Sequence, residues 1–290
     1  MISVNTILTL PFPATARYFP TFRPVAIMSP LRAETLSIHG PDAVAFAHAQ
    51  LTSNVRDLQA GAWQWSAWLN PQGRVRALLQ LARTEEQHLL LLLRGGTASD
   101  MAAELQRYVL RSQVTIAAHE PRQLLDADPL PEHDLRLDGD DIVLGMGGHA
   151  LRITRAPGQS QRWRLVAVEA GQPWLPADAL GSLLAPALSL RQLGAVSLDK
   201  GCYPGQEIVA RLHYRGGCKQ HLWRVESAAR LAPGSPLACA GETIGRVLDG
   251  VTSATGMCQA LAVLRDMDTH HEVAAKDGEA FTKVNVIKKL

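Results

Sequence analysis

Two runs of alternating side chains, joined by four turn-forming residues, set the first boundary on what this chain can fold into. Trp63, Trp65, Ala67 and Leu69 alternate with their neighbours, Asn70-Pro71-Gln72-Gly73 puts proline second in a turn, and Val75, Ala77, Leu79 and Leu81 alternate again. A period of two on both sides of such a turn predicts a β-hairpin over residues 62–82. The leucine run 89–93 comes next. It falls far short of the roughly 20 residues that cross a bilayer, so it reads as a buried strand.

Before the hairpin, Gly40-Pro41-Asp42 predicts a helix start, with proline at the first helical position, an acid in the first turn, and Val44, Ala47 and Leu51 on one face. After Gly95-Gly96 the spacing predicts a helix with Met101, Leu105 and Tyr108 on one face, then a strand near Val114. Residues 119–141 are polar, acidic and broken by proline, and are expected to connect two layers. Strands are expected at 142–144, 151–154 and 163–168, followed by a helical stretch to Leu190. Beyond Val225, the segments 243–248, 259–264 and 281–287 are short and apolar, and Gly234, Gly241, Gly250 and Gly278 punctuate them. That pattern predicts a small β-barrel, so the whole reads as α+β.

Hydrophobic residues make up 47% of the 290 and charged residues 19%, which excludes a disordered chain. With 29 basic against 27 acidic side chains, the net charge of +2 does not make nucleic acid the default partner. Four cysteines in a chain this long read as reduced thiols, not a disulfide framework. Arg17, Arg23 and Arg32 are the only charged side chains ahead of Glu34. An acid-poor, arginine-bearing start suits a mitochondrial transit peptide, but Pro11, Pro13, Pro20 and Pro24 would break its helix. Residues 1–33 are therefore read as a flexible leader, and a bacterial cytoplasmic location is expected.

The most informative stretch runs from Lys200 through Gly201-Cys202-Tyr203-Pro204-Gly205-Gln206-Glu207 to Arg211. Pro204-Gly205 is a turn, and a helix beginning there would put Cys202 beside its positive end. Lys200, the first lysine in the chain, would add its charge. Both favour a thiolate, although a free cysteine is as readily a small buried hydrophobe. Cys202, His213, Cys218 and His221 are zinc-ligand types, but their spacing fits no compact zinc motif, so no metal is expected. The basic loop 213–219 with Tyr214 suits a folate glutamate tail, a phosphate or RNA, or simply a solvated connection.

The twelve residues from Lys200 to Arg211, continued by His213-Tyr214-Arg215-Gly216, resemble the signature of the YgfZ-type folate-binding proteins, relatives of the glycine-cleavage T-protein, an aminomethyltransferase. Weaker similarity includes Gln50-Leu51-Thr52, Asn70-Pro71-Gln72-Gly73-Arg74, Tyr108-Val109-Leu110-Arg111 and Ile244-Gly245-Arg246-Val247. The resemblance implies an interleaved two-part body over 34–227 and a C-terminal barrel over 228–290, in a ring of three subdomains. It further implies binding of tetrahydrofolate or a derivative, and support of iron–sulfur enzymes, including tRNA-modifying ones, through Cys202. Lys200 would be the partner of that thiol. Tyr203, Gly205, Gln206, Glu207, Arg211, Tyr214 and Asn54 would bind folate or a partner. Neither membrane association nor direct nucleic-acid contact is expected.

The sequence also departs from that pattern. The T-protein has an acid just after the Gly-x-Val of the second hairpin strand, placed for the folate amine, where this chain has Arg76 and Ala77. In place of an Asn-Asp pair stands Ser53-Asn54, and ahead of the signature, where an acid is common, stand Arg191 and Gln192. With no acid to manage the proton, a folate-binding accessory protein is expected more than the alternative, a folate-dependent aminomethyl or methyl transferase.

Overall fold

The computed structural model describes residues 31–158, 160, 162–266, 272–277 and 280–290, so the expected leader lies outside the described residues up to 30. Arg32 and Ala33 already belong to the first strand, β1 (Arg32–His39). Then follow α1 (Ala43–Gln50), β2 (Ala62–Leu69), β3 (Val75–Glu85), β4 (His88–Leu93), α2 (Ala98–Gln106), β5 (Thr115–Ala118), β6 (Arg122–Ala127), β7 (Leu135–Asp138), β8 (Asp141–Gly145) and β9 (Ala150–Thr154). These strands form one sheet in the order β2-β3-β4-β1-β6-β9-β8-β7, with β5 also paired to β1. The hairpin β2–β3 is antiparallel with Trp65 opposite Gln80.

Both faces of the first half of this sheet are covered, which is why the leucine run shows no alternation. Leu89, Leu91 and Leu93 pack with Phe46 and Leu51 from the α1 region and with Met101 and Leu105 of α2. Leu90 and Leu92 face the other way, into a core shared with Trp63, Trp65 and Leu78. Tyr108 departs from expectation: α2 stops at Gln106, and the ring is 47% exposed. Residues 119–141 are not a plain connection, since β6 and β7 fall within them. Their half-exposed, polar faces hide the strand period.

The expected strand at 163–168 is a helix, α3 (Arg162–Glu169). Alternate apolar residues suggested a strand, but Trp163, Arg164, Ala167 and Val168 are the buried set, and that spacing is helical. The expected helical stretch to Leu190 is reduced to two short 3₁₀ turns, Ala177–Ala179 and Ala185–Leu188. The signature helix follows as α4 (Gln206–Arg215).

The last six strands, β10 (Gln220–Ser227), β11 (Pro236–Cys239), β12 (Glu242–Thr252), β13 (Cys258–Arg265), β14 (Val273–Asp277) and β15 (Ala280–Lys289), close into a barrel in the order β10-β13-β12-β11-β14-β15. It starts at Gln220, ahead of the boundary expected at 228, because β10 pairs with both β13 and β15. Strand alternation gives the barrel two apolar surfaces. Ala260, Ala262 and Leu264 fill its interior, while Leu261 and Val263 join the core of the body.

Charged groups lie buried beside that shared core. Arg164 of α3 donates to Asp249 of β12 through Nε at 3.0 Å and again through Nη2, with both side chains at most 5% exposed. Arg94, at the end of β4, lies over the rings of Trp174 at 4.7 Å and Trp65 at 5.5 Å and donates to the Gln172 carbonyl at 2.8 Å. Burial lowers its pKa to about 10, so it remains a cation at neutral pH.

Candidate functional site

Residues 200–211 are held by contacts to distant parts of the chain. Lys200 is 9% exposed, and its Nζ donates to the backbone carbonyls of Leu51 at 2.6 Å, Ser53 at 3.0 Å and His48. An ammonium has three N–H donors, so all are engaged at the carboxyl end of α1, where helix carbonyls lack partners and the dipole favours a cation. Burial, with Arg56 adding like charge, lowers the Lys200 pKa to about 8. The lysine expected to act on Cys202 is thus bound up in capping α1. Thr52 extends the same knot, its Oγ1 donating to the Ala195 carbonyl at 2.6 Å while its own carbonyl accepts from Ser197 N at 2.9 Å.

The helix begins where the turn chemistry places it. Gly205 is the N-cap of α4, with φ +80°. A Cβ there would stand 2.5 Å from the Asn70 carbonyl oxygen and 2.9 Å from Gly73 Cα, so glycine lets α4 dock on the turn between β2 and β3. Gly205→Ala is expected to destabilise the protein by about 2–3 kcal/mol, summing left-handed backbone strain and steric overlap, with the loss read from denaturant melts. A cost below about 0.5 kcal/mol would mean the turn yields freely.

Cys202 precedes this helix and is exposed. Cys218 and Cys239 are half-buried and Cys258 is buried, with burial pushing the Cys258 thiol up. His48, which the sequence reading missed, lies against this segment: its Nε2 is 3.7 Å from where a Cβ on Gly201 would stand. Burial lowers the His48 pKa, with Lys200 and Arg56 adding to the shift, so the imidazole is neutral at pH 7.

The other expected binding residues are dispersed. Tyr203 is buried, donates its hydroxyl to the Ser197 carbonyl at 3.3 Å, and has its phenol pushed up to about 12 by burial. Gln206 donates to the Lys200 carbonyl at 3.4 Å, and Asn54 donates to Asp57. Glu207, Arg211 and Tyr214 are exposed. Of the whole set, Tyr214 lines a cleft, of about 320 Å³, together with Arg191, Asp199 and His213. Trp63 and Trp65 are core residues.

Two larger cavities lie elsewhere on the described residues. One, of about 470 Å³, lies between β3 and α2 and is lined by Trp68, Arg76, Ala77, Asp100 and Glu104 among others. Arg76 lies 4.6 Å from the centroid of Trp68 and donates to both oxygens of Glu104. The Asp100 carboxylate makes no side-chain hydrogen bond among the described residues. The second, of about 490 Å³, lies against α4 and contains Arg191, His213, Cys218 and His221. No group of three or more His, Cys, Asp or Glu side chains is placed to hold a metal among the described residues. Nor is any described helix long and apolar enough to cross a membrane.

The sheet, the helices against it and the closed barrel make up an aminomethyltransferase T fold. The crystal structure of the glycine cleavage system aminomethyltransferase T from Bartonella henselae superposes with a TM-score of 0.65 at 16% identity, over 88% of this chain and 83% of that one. Among curated proteins, the tRNA-modifying protein YgfZ of Serratia proteamaculans is 26% identical, covering 92% of this chain and 93% of its own length. The tRNA-modifying protein YgfZ of Shigella boydii is 28% identical over 74% of this chain and 78% of its own. No family model matches. The similarity to YgfZ proteins that the 200–211 motif anticipates therefore extends over most of the chain.

Proposed function

We propose that this chain is a folate-binding accessory protein that supports iron–sulfur enzymes, including tRNA-modifying ones, through the thiol of Cys202. The observation that carries this reading is the exposure of Cys202 within an otherwise tightly pinned segment. Lys200, Tyr203 and Gly205 are all committed to structure around it, while Cys202 is exposed ahead of α4.

For the folate, the cavity between β3 and α2 has suitable chemistry. Trp68 lines it beneath the Arg76 guanidinium, and Asp100 supplies a carboxylate able to accept from the paired N–H donors of a pterin edge. Arg76 and Ala77 line it at the place where the T-protein carries an acid, and Arg76 is already paired with Glu104. At the two positions that follow the Gly-x-Val of the second hairpin strand, Arg76 and Ala77 offer no group to take a proton from the folate amine, which favours binding over aminomethyl transfer.

Tetrahydrofolate should raise the melting temperature with concentration, and Asp100→Asn should reduce the shift at least tenfold in apparent affinity. A melting curve that stays flat across a wide titration refutes folate binding. Cys202 should alkylate fastest of the four thiols near neutral pH and Cys258 slowest, read site by site by mass spectrometry. Cys202→Ser should keep the fold and abolish support of iron–sulfur enzymes in cells. Full complementation by that variant would remove the thiol from the function.

A further inference from the structure

The cavity against α4 has a chemistry of its own, independent of the folate reading. Its walls include Val196, Leu198 and Leu212, and its polar groups include Arg191, His213 and His221. Arg191 Nη1 lies 2.9 Å from the ring nitrogens of His213, and no carboxylate pairs with this guanidinium among the described residues. Of the nearby acids, Asp266 is already taken, by His221 at 3.1 Å and Lys289 at 2.8 Å, and Asp199, which lines the adjoining polar cleft with Arg191, makes no ion pair with it among the described residues. The polar cleft that holds Tyr214 shares Arg191 and His213, so the cation stands where an apolar cavity opens toward solvent.

We propose that this cavity is a second ligand site, for a small amphipathic anion: an apolar or aromatic body in the pocket and a carboxylate or phosphate on Arg191. A guanidinium with no carboxylate partner offers two parallel donors that match such a head group once His213 gives way, and burying the apolar body removes it from water. Gln192 beside Arg191 also lines the cavity and carries no charge.

The test titrates the full chain with 2-naphthoate, 2-naphthyl phosphate and the neutral 2-naphthylmethanol, read by calorimetry. At least one anion should bind tenfold or more tightly than the alcohol. Arg191→Gln should bring that anion to the level of the alcohol, leave the alcohol's affinity unchanged, and leave the melting temperature unchanged. Arg191→Lys should recover only part of the difference, since it keeps the charge and loses the fork. Which anion binds better separates a carboxylate from a phosphate source. Equal binding of alcohol and anions, an affinity unmoved by Arg191→Gln, or no binding at millimolar probe each overturns the proposal. The folate-dependent melting shift should persist in Arg191→Gln. Its loss there would mean that folate occupies this cavity, which would overturn a separate site while leaving folate binding intact.

Discussion

Asp249→Ala is expected to lower the unfolding free energy by about 3–5 kcal/mol, the cost of leaving a buried charge without its counter-ion. Asp249 accepts from Arg164 Nε at 3.0 Å and from Gly250 N at 2.9 Å, at a bulge in β12. Arg94 is close enough to Asp249 to be favoured by it and to Arg164 to be repelled. Removing the carboxylate therefore takes its negative charge away from the buried guanidiniums of both Arg164 and Arg94. The double variant Arg164→Met, Asp249→Leu should recover much of the loss, because apolar groups of similar size avoid the desolvation cost of both ions. Urea unfolding of the three proteins measures this. A loss under 1 kcal/mol in Asp249→Ala would show that the pair is reached by water.

What the sequence revealed follows from the range over which each element is determined. The hairpin over 62–82 was legible because two alternating runs and the turn between them are local, and β4 was legible because five consecutive leucines have few other uses. The barrel was readable from short apolar strands set off by glycine. By contrast, α3 was misread because its apolar residues alternate along the chain while the burial that fixes it comes from β12 and β6. Strands β6 and β7 were missed because their faces are half wet, which erases the binary pattern. In the site, Gly205 and the 70–73 turn were separately visible, but their contact was not. Lys200 was the plainest limit: the sequence offered it as a partner of Cys202, whereas its partners are backbone carbonyls about 150 positions away, and a carbonyl leaves no mark on the residue type that bears it.

Lys200→Met is expected to destabilise the protein by about 2–4 kcal/mol at pH 7, since it keeps the stem and strips the carbonyls of His48, Leu51 and Ser53 of their common donor. The penalty should depend on pH, and its sign follows from linkage. The Lys200 pKa is about 8 in the folded protein against 10.5 as an ordinary lysine, lowered first by burial and then by Arg56. Below about pH 8 both folded and unfolded chains hold the proton, and the cost of burying the ammonium is borne in full. Between about 8 and 10.5 the unfolded chain holds more protons, so this group's contribution to stability rises with pH. Over that window the gain is on the order of 3 kcal/mol. The gap between wild type and Lys200→Met should therefore widen from pH 7 to pH 10, and taking the difference cancels the other titrating groups. Denaturant melts of both proteins at pH 7 and pH 10 decide it. A gap that narrows would mean that the three carbonyl bonds hold the proton on Lys200 against burial. A Lys200→Met protein as stable as wild type at pH 7 would dismiss the cap on α1 altogether. The same variant separates structure from reactivity: if Cys202 alkylates at an unchanged rate in the folded variant, the lysine positions the segment and leaves the thiol's chemistry to its exposure beside α4.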